Sequence, residues 1–124
     1  MKSTESTSYI HDGVIMTEYK NEPLIIGDYH HSQIEFMHLS HEKWYTANSY
    51  PFQQIIFGYA AVSKPGKLFI LGGCCDNNWS LISLFQKDGW SKVGELKQGR
   101  MSFLAITYQT NVMIIGGISF DKKP

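Results

Sequence analysis

A short apolar run that stops on glycine occurs three times in this chain. Gly27 and Gly72 are 45 residues apart, and Gly72 and Gly116 are 44 apart. Self-similarity at a period of about 20 to 50 residues is typical of repeat proteins, in which each repeat buries apolar surface against the next. We therefore expect an array of like units. The three runs are KLFILGG at 67–73, VMIIGG at 112–117 and, in a degenerate form, PLIIGD at 23–28.

Each glycine stop closes a pair of short apolar runs, which predicts three β-hairpins. Residues 13–18, 58–62 and 102–106 precede the stops at the same offset and are rich in β-branched and apolar residues. Two of the intervening segments, 64–66 and 109–111, contain the Pro, Gly and Asn residues that turns select. Two such runs joined by a short turn are typical of a hairpin.

A third and a fourth strand are expected after each of the first two stops. The third strands are predicted at 34–39 and 80–85, and a segment bearing tryptophan follows each of them. Trp44 and Trp90 lie 17 and 18 residues after the glycines of their own repeats, so the tryptophan belongs to the repeat. Four short strands in each period predict one antiparallel sheet per unit.

The combination of glycine stop, aromatic strand, tryptophan and small-residue strand resembles the kelch repeat of β-propellers. The resemblance covers residues 13–117 and is best over 90–117. It implies an all-β chain of kelch-type β-propeller blades, each a four-stranded antiparallel meander, that together form an incomplete ring. The structural positions of the repeat are then Gly27, Trp44, Gly72, Gly73, Trp90, Gly116 and Gly117.

The resemblance divides the chain into a tail and two and a half blades. Residues 1–8 are predicted to be a disordered tail, 9–49 a degenerate first blade, 50–95 a second blade and 96–124 the truncated first half of a third. The first blade is the least regular, because Asp28 follows its glycine where the other copies have a second glycine. Hairpins of an unrelated β-sandwich are the alternative interpretation.

The number of blades raises a difficulty, because propellers close with about four to eight of them. An open array would leave apolar faces and strand edges bare, and the LFIL and VMII runs would then favour aggregation. We therefore expect further blades, either from a longer chain of which this is a fragment or from self-association.

Charge and hydropathy exclude several classes of partner. Acidic and basic residues number 11 each, without a block of like charge, which argues against nucleic acid and anionic membranes. The apolar runs are too short to span a bilayer and the N-terminus lacks an apolar signal core, so a cytoplasmic location is expected. Cys74 and Cys75 are adjacent and are expected to be free thiols, because neighbouring residues rarely attain disulfide geometry. A second cysteine pair that could complete a zinc site is absent from the sequence.

The loops beside the glycine stops form the predicted binding face. In an antiparallel meander, the loop after each stop and the loop entering the next blade lie at the same end of the sheet. Loops on a rigid scaffold commonly carry recognition, and Tyr, Trp, His and Arg suit a protein partner. The candidate partner-binding residues are Tyr29, His30, His31, Gln54, Asp76, Asn77, Asn78, Trp79 and Arg100.

Several of these residues allow more than one interpretation. His30 and His31 are expected to be solvated rather than to form a metal site with His38 and His41, which are predicted at the opposite end of the blade. Arg100 either binds a partner's carboxylate or bonds the carbonyls of its own loop. Trp79 is a contact residue or a packing residue, and the segment 76–78 is a turn rather than an ion site.

The functional prediction is a non-catalytic protein-interaction module that needs no cofactor and binds a protein partner through its loop face. The resemblance implies that a longer parent could act as a substrate adaptor for ubiquitin ligases. One alternative is a fragment of a propeller enzyme of the galactose-oxidase type, although the Tyr, His and Cys constellation of such enzymes is not legible here. Another alternative is a truncated product without independent function.

Overall fold

The computed structural model describes residues 7–9, 11, 14, 16–28, 30–38, 40–47, 49–53, 56–73, 79–87 and 89–119. These residues form strands, turns and loops without a helix, so the all-β prediction is confirmed. Within this part of the chain there is accordingly no helix long and apolar enough to cross a membrane.

Two four-stranded sheets and a further hairpin follow one another along the chain. Each full sheet is an antiparallel meander in sequence order, β1-β2-β3-β4 and then β5-β6-β7-β8. The predicted four-stranded meanders are therefore confirmed, and the sheets do not close into a ring. The strands of the first sheet are β1 (Met16–Tyr19), β2 (Glu22–Ile26), β3 (Ile34–His38) and β4 (Lys43–Ala47). Those of the second are β5 (Ala60–Lys64), β6 (Lys67–Leu71), β7 (Leu81–Gln86) and β8 (Gly89–Glu95).

The third unit begins with a short strand that the sequence did not predict. That strand, β9 (Arg100–Met101), pairs with β12 (Ile118–Ser119), while β10 (Leu104–Tyr108) pairs with β11 (Asn111–Ile115). The β10–β11 pair is the hairpin itself, and the β9–β12 pair joins the residues just before it to the residues just after it. The third hairpin is thereby closed at the end where its glycine stop lies.

The hairpin turns at the other end of the sheets are short. Lys20 and Asn21 link β1 to β2 with φ values of 51° and 66°. Positive φ at both central residues gives the turn twist that suits two right-twisted strands, and Asn tolerates it better than most residues. Pro65 and Gly66 make the equivalent connection between β5 and β6.

Apolar residues pack in the two interfaces between consecutive units, which we call the first and the second seam. The first seam contains Leu24, Ile26 and Phe36 from the first sheet and Leu68 and Ile70 from the second, all buried. The second seam is smaller, with Ala60, Val62, Leu71 and Phe103 buried against Ala105, Val112 and Ile114 of the third unit. Alternate residues of each strand point to opposite faces, so the middle sheet contributes to both seams.

The glycine stops are places of close backbone approach between consecutive units. A Cβ on Gly72 would lie 2.6 Å from the carbonyl oxygen of Arg100, and a Cβ on Gly27 would collide with the carbonyl oxygen of Ile56. Both glycines also have positive φ. Only a residue without a side chain lets the chain entering the next unit cross the strand end at this distance.

The outer face of the third hairpin is open to solvent. Leu104 pairs with Ile115 and Ile106 pairs with Met113, which places these four apolar side chains on one face. Leu104 is 67% exposed, and the other three are about half exposed. In the two full sheets the corresponding face is covered by the next unit.

A segment near the N-terminus lies over the outer face of the first sheet. The carboxylate of Glu35, fully buried on β3, accepts the backbone N–H groups of Ser8 and Tyr9 at 2.7 and 3.1 Å. His11 Nε2 lies 2.6 Å from the same carboxylate, and its Nδ1 lies 2.7 Å from the carbonyl of Gly27. Both partners are acceptors, so the geometry matches an imidazolium that donates from both nitrogens. The predicted tail at 1–8 lies largely outside the described residues and stays a prediction.

Candidate partner-binding face

The candidate site is the end of the sheets where the glycine stops lie. Two backbone contacts tie consecutive units together there. Asp28, after the first stop, forms a β-bridge with Ile56 at the entry to the second unit. The N–H of Gly73 donates to the carbonyl of Arg100 at 2.9 Å, which is the equivalent contact one unit later. We call this end the loop face; its described residues are Asp28, His30, His31, Ser32, Gln53, Trp79, Lys97, Gln98 and Arg100.

The first loop of this face is fixed by its own hydrogen bonds. The N–H of Gly27 donates to Gln33 O at 2.8 Å, and the N–H of Asp28 donates to His31 O at 3.0 Å. The buried Asp28 carboxylate accepts the N–H of His30 at 3.0 Å, an Asx-type contact that Asp readily forms in turns. The loop therefore presents His30 to solvent from a fixed backbone.

His31 is held inside this loop and differs from its exposed neighbour His30. Its Nδ1 accepts the N–H of Gln33 at 3.1 Å, which fixes the orientation of the ring. The ring also lies 5.2 Å from the rings of both Tyr9 and His11, centroid to centroid. His31 thus connects the first loop to the segment that covers Glu35.

Arg100 is engaged by the backbone of its own unit. Its Nε donates to the carbonyl of Gln98 at 3.4 Å, its Nη1 donates to the carbonyl of Gly116 at 3.2 Å, and its guanidinium lies 6.0 Å from the ring centroid of Phe103. The side chain is only partly buried. Arg100 thus bonds carbonyls of its own unit, and its role toward a partner stays a prediction.

Trp79 stands at the start of the second sheet's third strand, where the chain leaves the glycine-stop loop. Its carbonyl accepts the N–H of Arg100 at 3.0 Å, and the tryptophan lies so close to Gly99 that a Cβ there would be 2.8 Å from its own Cβ. The indole is partly exposed. Trp79 and Arg100 therefore share one patch of the loop face, with Lys97 and Gln98 exposed beside them.

Several predicted residues lie elsewhere or outside the described part. His38 is at the opposite end of the first sheet, where its Nδ1 lies 3.1 Å from Glu22 Oε2. Among the described residues, no group of three or more His, Cys, Asp or Glu side chains could hold a metal ion. The candidate residues Tyr29, Gln54, Asp76, Asn77 and Asn78, and the thiols of Cys74 and Cys75, lie outside the described residues, and the expectations for them stay predictions.

The repeat tryptophans occupy equivalent positions in the two full sheets. Trp44 pairs with Met37, and Trp90 pairs with Phe85, so each lies opposite the same position of its third strand. Trp90 also packs edge-on against Tyr50 at 4.9 Å between centroids. Trp90 therefore lies in the first seam, whereas Trp44, at the matching position of the first sheet, faces away from that seam.

Two tyrosines that sequence reasoning missed connect the first two units. Tyr59 OH donates to the carbonyl of Ile26 at 2.9 Å and accepts its N–H at 3.3 Å. Tyr50 OH lies 2.8 Å from the hydroxyl of Ser83. Burial raises the pKa of Tyr50 to about 12 and raises that of Tyr59 further, so both stay protonated. Tyr59 and Phe103 occupy the same position in their repeats, and this recurring aromatic residue was the signal in the sequence.

The buried acid Glu35 was missed as well. Burial alone would raise its pKa, but the hydrogen bonds from His11, Ser8 and Tyr9 and the charge of His11 together place the pKa below its ordinary value. A carboxylate within the apolar run IEFM was the signal in the sequence, since a charged residue on a buried strand requires a partner.

Comparison with known proteins places this geometry in a known architecture. The chain superimposes on the solved structure of YjhT, a kelch-type propeller, with a TM-score of 0.79 and 18% identity, covering 96% of this chain and 42% of that one. Kelch-like protein 41a of Danio rerio is 25% identical over 83 residues, which is 64% of this chain and 14% of that protein. An F-box/kelch-repeat protein of Arabidopsis thaliana is 31% identical over 71 residues, or 52% of this chain and 19% of its own length.

The similar sequences and the similar solved structure both agree with the kelch resemblance, and no protein-family model matches the chain. Both relatives have kelch in their names, and the chain spans less than a fifth of the length of each. The two meanders and the third hairpin have the blade topology seen in YjhT. The protein described here has the fold of consecutive blades of a kelch-type β-propeller.

Proposed function

We propose that this protein is a non-catalytic recognition module that binds a protein partner through the loop face. The observation that carries the proposal is the contrast between fixed backbone and exposed side chains at that end. The contacts Asp28–Ile56 and Gly73–Arg100 hold consecutive units together, while His30, Lys97 and Gln98 project into solvent. A preorganised backbone lowers the entropic cost of binding, and exposed polar side chains on it provide specificity.

The partly exposed Trp79 and Arg100 provide the contact residues of this proposal. Tryptophan and arginine are enriched among residues that contribute most to protein interfaces. Both belong to one patch, since the N–H of Arg100 donates to the carbonyl of Trp79. Kelch-like and F-box/kelch-repeat relatives imply protein interaction in general. For the whole protein, we propose that these blades act as an adaptor that brings a substrate to a larger assembly.

The test compares charge changes at the two ends of the blades. A loop-face variant carries His30→Glu and Gln98→Glu, and a control variant carries Lys20→Glu and Lys87→Glu in the hairpin turns at the other end. All four positions are exposed, so both variants are expected to unfold with wild-type midpoints. Proteins enriched from cells by the wild type and by the control, but lost with the loop-face variant, are then measured for direct binding to purified chain.

The expected result is a partner whose Kd rises at least tenfold in the loop-face variant and changes less than twofold in the control. Equal loss with both variants, or binding that neither variant changes, would contradict recognition by the loop face. Turnover of a small substrate by the purified chain would contradict the non-catalytic part of the proposal.

We further propose that additional blades cover the open face of the third hairpin, whether they come from a longer chain or from another copy. Leu104, Ile106, Met113 and Ile115 present a contiguous apolar face and β11 presents an edge, both of which associate readily. Sedimentation of the wild type and of Ile106→Lys measures this. Self-association that the substitution abolishes supports cover by a second copy. A monomeric wild-type chain at high concentration would exclude that source.

A further inference from the structure

A cavity of about 380 Å³ lies in the first seam, away from the loop face. Its lining comes from strands of both sheets, including Tyr19, Phe36 and Tyr45 on one side and Phe85 and Trp90 on the other. The closest contacts between the two sheets are those of β1 with β5 and β6. The cavity lies on the other side of these contacts, toward β3 and β4 of the first sheet and β7 and β8 of the second, at the end where the hairpin turns are.

The walls of this cavity are aromatic. Phe36 and Tyr45 stack at 5.5 Å with an interplanar angle of 17°, and Phe85 lies 4.7 Å from Tyr19 and 4.9 Å from Trp90. Leu24, Ile34, Ala47 and Leu68 complete the apolar lining. Pockets of about 300 to 1,000 Å³ with apolar walls and a few polar groups are typical of small-molecule sites.

The hydroxyl of Tyr19 points into the seam without a hydrogen-bond partner in the described part of the chain. Tyr19 is 4% exposed, and its hydroxyl is buried without a hydrogen-bond partner among the described residues. Nearly all buried polar groups in folded proteins are hydrogen-bonded, and one without a partner destabilises the folded state. The other two buried tyrosines of this seam, Tyr50 and Tyr59, both have partners.

The charges at the mouth are balanced. Lys20 Nζ lies 5.3 Å from the centroid of the Tyr19 ring and is the basic group of the lining. Glu22 is its acidic group; its Oε1 accepts the hydroxyl of Tyr45 at 3.1 Å, and its Oε2 lies 3.1 Å from His38 Nδ1. One acid and one base favour a neutral occupant over an anion or a cation.

We propose that this cavity is a binding site for a neutral aromatic small molecule with one hydrogen-bonding group that meets the hydroxyl of Tyr19. The aromatic walls provide offset and edge-to-face contacts for a planar ring. The hydroxyl provides the single directional contact. This site is separate from the loop face, so it is independent of the protein partner proposed above.

The experiment uses indole and its isostere indene, which lacks the N–H group. Binding to the full chain is measured by protein NMR shifts, and indole is expected to bind saturably and roughly three- to tenfold more tightly than indene, the range that one hydrogen bond provides. Tyr19→Phe is expected to remove that preference while leaving indene affinity within twofold. Because it also removes an orphaned polar atom, this variant should melt at or above the wild-type temperature.

A cavity-filling variant locates the site. Ala47 lies in the lining on β4, so Ala47→Phe is expected to weaken both probes at least tenfold. Leu104→Phe adds aromatic surface to the open face of the third hairpin and should leave both affinities unchanged. Absence of saturable binding, loss with Leu104→Phe instead, or an indole preference that survives Tyr19→Phe would overturn the proposal. If Ala47→Phe does not fold, the indole-to-indene ratio in Tyr19→Phe decides the result.

Discussion

The seam between the first two sheets and the open face of the third hairpin are built from the same repeat and have opposite environments. Ile26, Leu71 and Ile115 each precede the glycine stop of their own repeat by one residue. Ile26 is 0% exposed and Leu71 is buried, whereas Ile115 is 51% exposed. The strand conformation is the same at all three positions. Burial is therefore decided by whether another unit follows.

This comparison shows how stability is distributed along the repeat array. In such an array, the free energy comes from the units and from the interfaces between neighbours. The first seam has a sheet of four strands on each side, while the second has a sheet on one side and a hairpin on the other. Substitutions at equivalent positions should therefore lower the free energy of unfolding most in the first seam, less in the second seam and least on the open face.

The largest difference is expected for truncation of the residue before the glycine stop. Ile26→Ala leaves a cavity in the first seam and should lower the free energy of unfolding by about 3 to 5 kcal/mol, as for other fully buried isoleucines. Ile115→Ala should cost less than about 1 kcal/mol because the side chain is already half exposed. Urea unfolding of the two variants measures both. Equal losses would show that the third hairpin is covered in solution.

The glycine stops provide the second comparison. Gly72→Ala places a methyl group 2.6 Å from the Arg100 carbonyl oxygen at a φ of 62°, so strain and displaced backbone together should cost about 2 to 4 kcal/mol. Gly116→Ala has a φ of 74° but meets nothing within 4 Å, so only the conformational strain of about 1 to 2 kcal/mol applies. Thermal melts of both variants give the difference. A loss for Gly116→Ala as large as that for Gly72→Ala would place a further backbone over the third stop.

The tyrosine that joins the first two units provides a smaller effect. Tyr59→Phe removes a buried hydroxyl that both donates to and accepts from the backbone of Ile26, and it should cost about 1 to 2 kcal/mol. Tyr108→Phe, on the exposed strand β10, is the matched control and should change stability by less than about 0.5 kcal/mol. Denaturant midpoints measured side by side test this. If Tyr59→Phe left the stability unchanged, water would be hydrogen-bonding the backbone groups of Ile26 in solution.

The smallest effect concerns the cover over the first sheet. The folded pKa of Glu35 is lowered from 4.5, so the unfolded chain binds a proton more readily than the folded one. This contribution to stability is present above pH 4.5 and is lost as the pH falls through the folded pKa. One such group changes the free energy of unfolding by at most about 1.4 kcal/mol per pH unit.

The measurement is the free energy of unfolding as a function of pH in wild type, in Glu35→Gln and in the control Glu95→Gln. Glu35→Gln should flatten the acid-side slope, while Glu95→Gln, an exposed carboxylate on β8, should leave it as in the wild type. An unchanged slope in Glu35→Gln would show that the contact with His11 does not persist in solution.

Much of the fold could be predicted because its signals are local. The apolar runs and turn residues predicted a third strand at 34–39 and a hairpin turn at 64–66, close to the observed β3 and the turn at Pro65 and Gly66. The loop face also followed from the meander, since antiparallel connections alternate between two ends. The pairing of β9 with β12 was missed because two-residue strands leave no periodic pattern.

The contacts of the candidate residues could not be predicted in the same way. Arg100 bonds the carbonyl of Gly116, which lies 16 residues away, and His31 packs against Tyr9 and His11. These contacts depend on how separate segments meet in space. The sequence predicted candidate residues and an end of the blade, and the structure shows which atoms the described candidates contact.

By itself, the sequence determined the repeat, the strands and the glycine stops, because periodicity and turn chemistry depend on residues a few positions apart. Only the tertiary structure decided that Ile26 is buried and Ile115 exposed, that Glu35 has partners, and that a cavity remains beside Tyr19. The physical reason is that burial and hydrogen-bond partners are set by neighbouring units. Identical local patterns therefore acquire different environments according to what packs against them.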